Sequence, residues 1–167
     1  MISAAVDANA IHAFQQERIA DQAGPGQLAI ERAFAEGCIA LDDEGKCLHE
    51  WISAAGGAFP YALSDWVDNQ LAMGTIKLFP MQKLNVFKKL QAVGLPKDDH
   101  KWVKLAISCN GNVIITNDID FFEPSAKNAS ENKKAKLKES GGSCSKLLHK
   151  EFGITVKCMV RFANGLC

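Results

Sequence analysis

The sequence predicts an α/β fold, a three-layer α/β/α sandwich in which helices cover both faces of a central parallel sheet of four or five strands. Short apolar runs that suit buried strands alternate with longer segments whose apolar residues recur at helical spacing. This alternation is typical of parallel sheets, because a parallel connection must cross from one end of the sheet to the other. A chain of 167 residues suits one core, so we expect a single domain over residues 1–167.

Four short runs are predicted to be strands. An apolar run at 2–6 opens the chain, and a second at 38–41 follows two predicted helices. The third, at 112–116, is centred on branched side chains that favour a buried strand. The last predicted strand covers residues 154–159.

Helical spacing marks most of the remaining chain. The segment 47–55 fits either a helix or a short strand that runs into one. The segment 124–143 is rich in lysine and serine, which predicts a mobile or loosely helical surface segment within the domain. The other predicted helices are 8–18, 28–35, 63–72, 81–93, 146–151 and one that begins at Asp98 or Asp99.

Charge and cysteine content exclude some classes of protein. Lysine plus arginine and aspartate plus glutamate each number 19, so the chain has no bulk charge with which to bind nucleic acid, and any such contact must use local patches. The six cysteines form no C-x-x-C pair, and we expect them to be reduced thiols. The first residues lack the basic region of a signal peptide, and no apolar run reaches the length of a membrane span. These features favour a cytoplasmic protein that does not use a membrane.

Acidic residues stand where predicted strands end. Asp7 follows the first strand, and Asp118 follows the third. Asp99 begins the helix that leads into the third strand, and such a helix starts at the same edge when it runs antiparallel to the strands. Glu50 follows the second strand after a turn. Because the carboxyl ends of parallel strands form one edge, where ligands bind in α/β folds, these acids are candidates for one site.

Clustered carboxylates repel one another unless a cation lies among them. Oxygen ligands of this kind suit Mg²⁺ or Mn²⁺, ions that activate water and polarise a phosphodiester. Each acid also has an ordinary structural explanation. Asp7 ends a strand and Asp99 caps a helix, while Asp118 and Asp120 lie in a turn. Spacing alone leaves both explanations open.

Several motifs occur in order along the chain. Val6-Asp7-Ala8-Asn9 precedes an apolar helix, and an acid opens the helix at 99–106. The strand at 112–116 runs into Thr-Asn-Asp-Ile-Asp-Phe at 116–121, and Glu50-Trp51 follows a strand and a turn. These motifs resemble the PIN domain, a family of metal-dependent ribonucleases. The resemblance extends from residue 2 to about 160 and leaves the segment 124–143 unmatched.

The resemblance implies specific residues for the site. Asn9 and Thr116 would orient the carboxylates, and Asp120 would either bind a second ion or hold the turn. Asp42, which ends a strand directly, is the alternative to Glu50 as the second acid. The implied catalytic acids and ligands of Mg²⁺ or Mn²⁺ are Asp7, Glu50, Asp99 and Asp118.

The resemblance implies that the protein is an endonuclease that hydrolyses single-stranded RNA. It also implies two possible partners: an antitoxin protein, if the nuclease is a toxin, and a second copy of the chain in a homodimer. The alternatives are a PIN-like binding module without activity and a nuclease that acts on DNA. Lys88, Lys89 and Lys101 are predicted to contact the RNA backbone, although a solvated helix face is the more usual explanation of such a run of lysines. Phosphatases of the haloacid-dehalogenase type and receiver domains fit less well, because both require a second early acid that Asp7-Ala8-Asn9 lacks.

Overall fold

The computed structural model describes residues 1–57 and 59–165, and it confirms the α/β prediction. Five strands form one central sheet, flanked by helices in a three-layer arrangement. The strands are β1 (Ile2–Val6), β2 (Gly37–Asp42), β3 (Ile76–Phe79), β4 (Val113–Ile115) and β5 (Thr155–Lys157). The α-helices in the described residues are α1 (Ala8–Ile19), α2 (Pro25–Glu36), α3 (Lys46–Ala55), α4 (Leu63–Met73), α5 (Phe87–Ala92), α6 (His100–Ser108), α7 (Glu131–Ser140), α8 (Ser143–Phe152) and α9 (Met159–Ala163).

The strand order across the sheet is β3-β2-β1-β4-β5, and every neighbouring pair is parallel. In the central strand β1, Ala4 lies opposite Ile39 of β2 on one side and Val113 of β4 on the other. The sheet grows outward from β1 to β3, and the chain then returns to place β4 beside β1. Binding sites in such sheets form beside this reversal, at the carboxyl ends of the strands. A binding site is therefore expected among the residues that follow β1 and β4.

The helices that frame this edge pack on different strands. α2 packs on β1 and β2, and α6 packs on β1, β2 and β4 from the opposite face. α3 lies against α1 and β2, while α8 packs on β5. Ala4 and Ala5 of β1 are small and fully buried beneath these helices. Within the sheet, a Cβ atom at Gly37 of β2 would collide with the carbonyl oxygen of Ile2 in β1.

β3 is a strand that the sequence pattern does not predict. It lies at the edge of the sheet and has four residues, of which Lys77 and Leu78 are exposed and only Ile76 is buried. A strand with one buried side chain lacks the alternating or continuous apolar pattern that marks a strand in a sequence. The sequence predicts four or five strands, and the fifth is therefore β3, a segment whose residues show no strand pattern.

The predicted helix at 81–93 is wrong in its first half, because only Phe87–Ala92 is helical. Residues 80–86 have no regular secondary structure. Met81 and Leu84 are half-buried against the core, and the N–H of Gln82 donates to Ser108 Oγ at 3.0 Å. Their apolar spacing thus reflects packing of an irregular segment, not a helix face.

The predicted strand at 154–159 is also too long. β5 ends at Lys157, and Met159 already belongs to α9. Ile154 and Met159 are both buried, so the apolar run continues through the core although the strand does not. Other helix ends differ by a few residues: the helix expected at 28–35 begins at Pro25, where the missing N–H is harmless, and the one expected at 146–151 covers Ser143–Phe152.

The lysine-rich segment at 124–143 contains a defined helix. A 3-10 turn covers Pro124–Ala126, and α7 follows it. Ser130 accepts a hydrogen bond from the N–H of Lys133 at 3.4 Å at the start of α7, and Gly141, at a φ of +81°, ends the helix. None of the residues of α7 is buried, which agrees with the predicted surface location.

Two further expectations concern the whole chain. Within the described residues, none of the helices combines the length and the apolar character needed to cross a membrane. Five cysteines, Cys38, Cys47, Cys109, Cys144 and Cys158, are free thiols, and four of them are buried. The sixth, Cys167, lies outside the described residues.

Candidate metal centre

The ends of β1 and β4 bring Asp7 and Asp118 to the same edge of the sheet. The N–H of Asp7 donates to the carbonyl oxygen of Ile115 at 3.0 Å, which carries the pairing of the two strands one residue further. Thr116 Oγ1 donates to Asp7 Oδ2 at 2.7 Å and accepts from the N–H of Asp118 at 2.9 Å. The buried hydroxyl of Thr116 therefore connects both acids.

The turn after β4 is held by its own polar groups. Asp118 Oδ1 accepts from the N–H of Asp120 at 2.9 Å, and a 3-10 turn follows at Ile119–Phe121. Asn9 Oδ1 accepts from the N–H of Asn117 at 3.0 Å, so Asn9 orients the backbone of this turn and not a carboxylate directly. Phe121 and the adjacent Phe122 are buried and anchor the turn in the core.

Asp99 joins these acids from the start of α6. It occupies the position before the first residue of the helix, but its side chain makes no capping hydrogen bond. One carboxylate oxygen from each of Asp99, Asp118 and Asp120 lies within 4.8 Å of the others. These three carboxylates can hold a metal ion, because oxygen atoms at such separations can share one cation.

The electrostatics tie Asp7 and Glu50 to the same cluster. Burial, and after it the charges of Asp7, Asp118 and Glu50 in that order, raise the pKa of Asp99 to about 7, while Lys101 lowers it. Burial also raises the pKa of Asp7 to about 6, against the opposing hydrogen bond from Thr116 and with added repulsion from Asp118 and Glu50. The pKa of Asp120 is raised by burial and by Asp118. Mutual repulsion of this kind is what a bound cation would relieve.

Glu50 and Asp42 have different surroundings. Asp42, almost fully buried at the end of β2, accepts from the N–H groups of Lys46 and Cys47 at 2.8 and 2.7 Å. Both of its oxygens thus serve the first turn of α3, where a carboxylate is favourable. Glu50 lies on α3, forms an ion pair with Lys101, and interacts with Asp7 and Asp99. Of the two alternatives for the second acid, Glu50 is therefore the one whose charge acts on Asp7 and Asp99.

Two lysines touch the acids. Lys101 pairs with Glu50 and also donates to the carbonyl oxygen of Asp98 at 2.6 Å. Lys127, in the lysine-rich segment, lies 3.6 Å from Asp120. Neither pairing could be predicted from the sequence, because each joins residues from separate elements. Five carboxylates against two lysines leave an excess of negative charge at this edge.

An open groove of about 1300 Å³ lies beside Glu50 and Lys101. Its described lining includes lysines from three parts of the chain, namely Lys46, Lys83, Lys97, Lys101 and Lys104. Lys88 and Lys89 are not among the lining residues. Lys88 is exposed, and Lys89 pairs with Glu151 at 2.6 Å and lies 5.6 Å from the ring of Phe152. Of the three lysines predicted to contact RNA, only Lys101 faces this groove.

Trp51 supports the site from behind. Its indole Nε1 donates to the carbonyl oxygen of Val6 at 2.8 Å, and the side chain is fully buried. The bond connects α3 to the residue before Asp7, so it fixes the helix that carries Glu50 against the end of β1. The tryptophan is part of the core, and its indole also joins two elements of the site.

No family model matches the sequence, and neither a curated protein nor a solved structure matches the chain. The likeness to the PIN domain thus remains a prediction from the motifs.

Proposed function

We propose that this protein is a metal-dependent endoribonuclease that hydrolyses phosphodiester bonds in single-stranded RNA. The observation that carries the proposal is the convergence of Asp99, Asp118 and Asp120, with Asp7 and Glu50 interacting with them, at the carboxyl edge of a parallel sheet. A structural cluster of acids would be expected to include matching cations, and this one is short of them.

The ligand chemistry favours Mg²⁺ or Mn²⁺. The described cluster offers carboxylate oxygens and no histidine or cysteine, and hard cations bind such oxygen sets. An ion of this kind supplies activation of water and polarisation of a phosphodiester when it is bound. Asp7, Asp99 and Asp118 would hold it, with Glu50 and Asp120 completing the oxygen set.

The protein's own residues keep these oxygens in place. Thr116 fixes one oxygen of Asp7, and the backbone of Asp120 fixes one oxygen of Asp118. The side chain of Asp99 makes no cap with its helix, which leaves its oxygens available. Oriented ligands lower the conformational entropy lost on binding, so the site is organised before any ion arrives.

The groove beside Glu50 supplies the substrate contacts. A neutral chain needs a local cationic surface to hold a phosphate backbone, and Lys83, Lys97 and Lys104 line the groove without forming any of the ion pairs found among the described residues. The exposed ring of Phe87 offers a surface for base stacking in the same groove. Stacking of unpaired bases favours a single strand.

The test is cleavage of a mixed RNA pool by pure protein with Mn²⁺, with EDTA and Asp118→Asn as negative arms. Asp118→Asn should lower the cleavage rate by about a hundredfold or more, because loss of a ligand should exceed the 10–100-fold effect of losing a residue that only orients one. Asp43→Asn is the matched control, since Asp43 is exposed and follows β2 outside the cluster. A DNA pool of the same composition decides between RNA and DNA as substrates.

Two results would contradict the proposal. An RNA pool left intact by wild-type protein with Mn²⁺ would identify a binding module without activity. Cleavage that persists in EDTA and in Asp118→Asn would show that the acids do not carry the reaction.

A further inference from the structure

The positive charge of this neutral chain is concentrated in its last quarter. Residues 124–167 contain nine of the nineteen lysines and arginines but only three of the nineteen acidic residues. They therefore carry an excess of six positive charges, and the preceding residues carry the same excess of negative charge. The acids of the candidate metal centre belong to the negative part, whereas α7, α8, β5 and α9 form the positive part.

Two glycines fold part of this positive region into a concave surface. Gly141 has a φ of +81°, and a Cβ atom at Gly142 would collide with the carbonyl oxygen of Phe122. The N–H of Gly142 donates to Ser145 Oγ at 3.0 Å, which closes the turn. Glycine is thus required for a sharp turn that places the end of α7 beside the start of α8.

The resulting concavity has a volume of about 290 Å³ and lies between α7, α8 and β5. Its basic lining comprises Lys138, Lys146, His149, Lys157 and Arg161. Arg161 pairs with Glu139 at 3.6 Å. None of the ion pairs or side-chain hydrogen bonds found in residues 1–57 and 59–165 uses the ammonium group of Lys138, Lys146 or Lys157.

The concavity is one strand away from the acids. The carbonyl oxygen of Lys157 accepts from the N–H of Thr116 at 3.0 Å, and Thr116 holds Asp7. Lys157 is the last residue of β5, so it stands at the same carboxyl edge of the sheet as the metal centre.

We propose that this surface, lined by Lys138, Lys146 and Lys157, is a second binding site for the phosphate backbone of RNA, separate from the lysine groove beside Glu50. The inference rests on the proposed function for the identity of the polyanion. An acidic cluster repels RNA, and a basic surface next to it holds the strand without adding positive charge among the metal ligands. Three ammonium groups contributed by three separate elements, α7, α8 and β5, suit the successive phosphates of a polymer better than a single anion.

The experiment measures binding of a fluorescent oligouridylate to the full chain by anisotropy, in EDTA so that no cleavage occurs. K146Q/K157Q removes two positive charges from the concavity. K77Q/K150Q is the matched control: Lys77 is exposed on β3 at the other edge of the sheet, and Lys150 is exposed on α8 outside the concavity. All four lysines are at least partly exposed, and thermal melting checks that both variants remain folded.

We expect K146Q/K157Q to weaken binding by about tenfold while K77Q/K150Q changes it little. The slope of log affinity against log salt concentration should become shallower by about 1.4 in K146Q/K157Q, since each lost phosphate contact on a single strand contributes about 0.7. Equal weakening in both variants, or none in either, would overturn the proposal. Binding to anionic phosphatidylserine vesicles without measurable RNA binding would overturn it in favour of a membrane surface. Intact RNA binding combined with absent Mn²⁺-dependent cleavage would refute the proposed function but not this site.

Discussion

Asp99 stands at the position before a helix, but its side chain does not cap that helix. A carboxylate before a helix usually accepts hydrogen bonds from the first backbone N–H groups, which stabilises both partners. Asp99 forgoes this bond and faces other carboxylates. Its surroundings are therefore unfavourable for charge, and this is the arrangement expected where function outweighs local stability.

The raised pKa values make the metal-free protein sensitive to pH. The pKa values of Asp7 and Asp99 rise from 3.8 to about 6 and about 7, so the folded state binds more protons than the unfolded state between these limits. We predict that the free energy of unfolding in EDTA falls as pH rises from about 4 to about 7. Saturating Mn²⁺ should remove this loss, because an ion stabilises the ionised carboxylates.

Thermal melting across this pH range, with and without Mn²⁺, checks the prediction. Asp99→Asn should flatten the curve obtained in EDTA, since the largest source of the effect is removed. Asp43→Asn should leave it unchanged. A melting temperature in EDTA that rises through the same window would contradict the assigned surroundings of Asp99.

Two buried tryptophans form a natural pair for measuring one hydrogen bond. Trp51 and Trp102 are both fully buried, but only Trp51 Nε1 has a partner, the carbonyl oxygen of Val6; Trp102 Nε1 has none among the described residues. We predict that Trp51→Phe costs about 1–3 kcal/mol more than Trp102→Phe, because it leaves a buried carbonyl unsatisfied. Chemical denaturation of both variants measures the difference. Equal losses would show that the bond to Val6 is not stabilising.

Among the elements of the fold, α3 involves two acids with separate tasks, Asp42 at the end of β2 and Glu50 on the helix itself. Asp42 holds the first turn of the helix, and Glu50 faces the cluster. We predict that Asp42→Ala lowers stability by about 1–2 kcal/mol, as loss of an N-terminal cap does, while Mn²⁺ still raises the melting temperature. Glu50→Gln should show the opposite pattern, a small change in stability and a smaller Mn²⁺-induced shift. Loss of the Mn²⁺ response in Asp42→Ala alone, with the helix content preserved, would make Asp42 the second acid.

The strands that the sequence predicts have clear apolar runs. β1 and β4 are buried on both faces, and their apolar runs and terminal acids are visible in the sequence. β3 carries no such signal, because it lies at an edge, and the half-buried apolar residues at 81–84 imitate a helix face. The spacing of apolar residues along a sequence reflects which side chains are buried. It mispredicts secondary structure where a strand is mostly exposed or where half-buried residues lie in an irregular segment.

The candidate site likewise has features that the sequence predicts and features that it does not. The strand-end positions of Asp7 and Asp118 follow from parallel topology, and the helix start at Asp99 follows from the crossover that returns to β4. The pairing of Lys101 with Glu50, and that of Lys127 with Asp120, depends on the angles between packed elements. Those angles have no counterpart in the spacing of residues along the chain.

At the scale of the whole molecule, β1 lies in the middle of the sheet and β3 at its edge. It has hydrogen-bonded neighbours on both sides, and Ala4, Ala5 and Val6 are fully buried, whereas β3 has one neighbour and two exposed side chains. We predict that amides of β1 exchange with deuterium only through global unfolding, while those of β3 exchange faster by local opening. Hydrogen–deuterium exchange with mass spectrometry distinguishes the two strands. Equal protection of β1 and β3 would mean that the sheet opens as one unit.

The edges of this sheet also bear on how the protein behaves when it is crowded by its own copies. An unpaired strand edge is a template for the strand of another molecule, and that kind of growth ends in fibres. β3 presents Lys77 to solvent and is followed by Pro80, which has no N–H to offer, and β5 is only three residues long. A charge, an imino acid and a short strand are each known obstacles to edge-to-edge pairing, so the segment with the weakest strand signal is well suited to resisting aggregation.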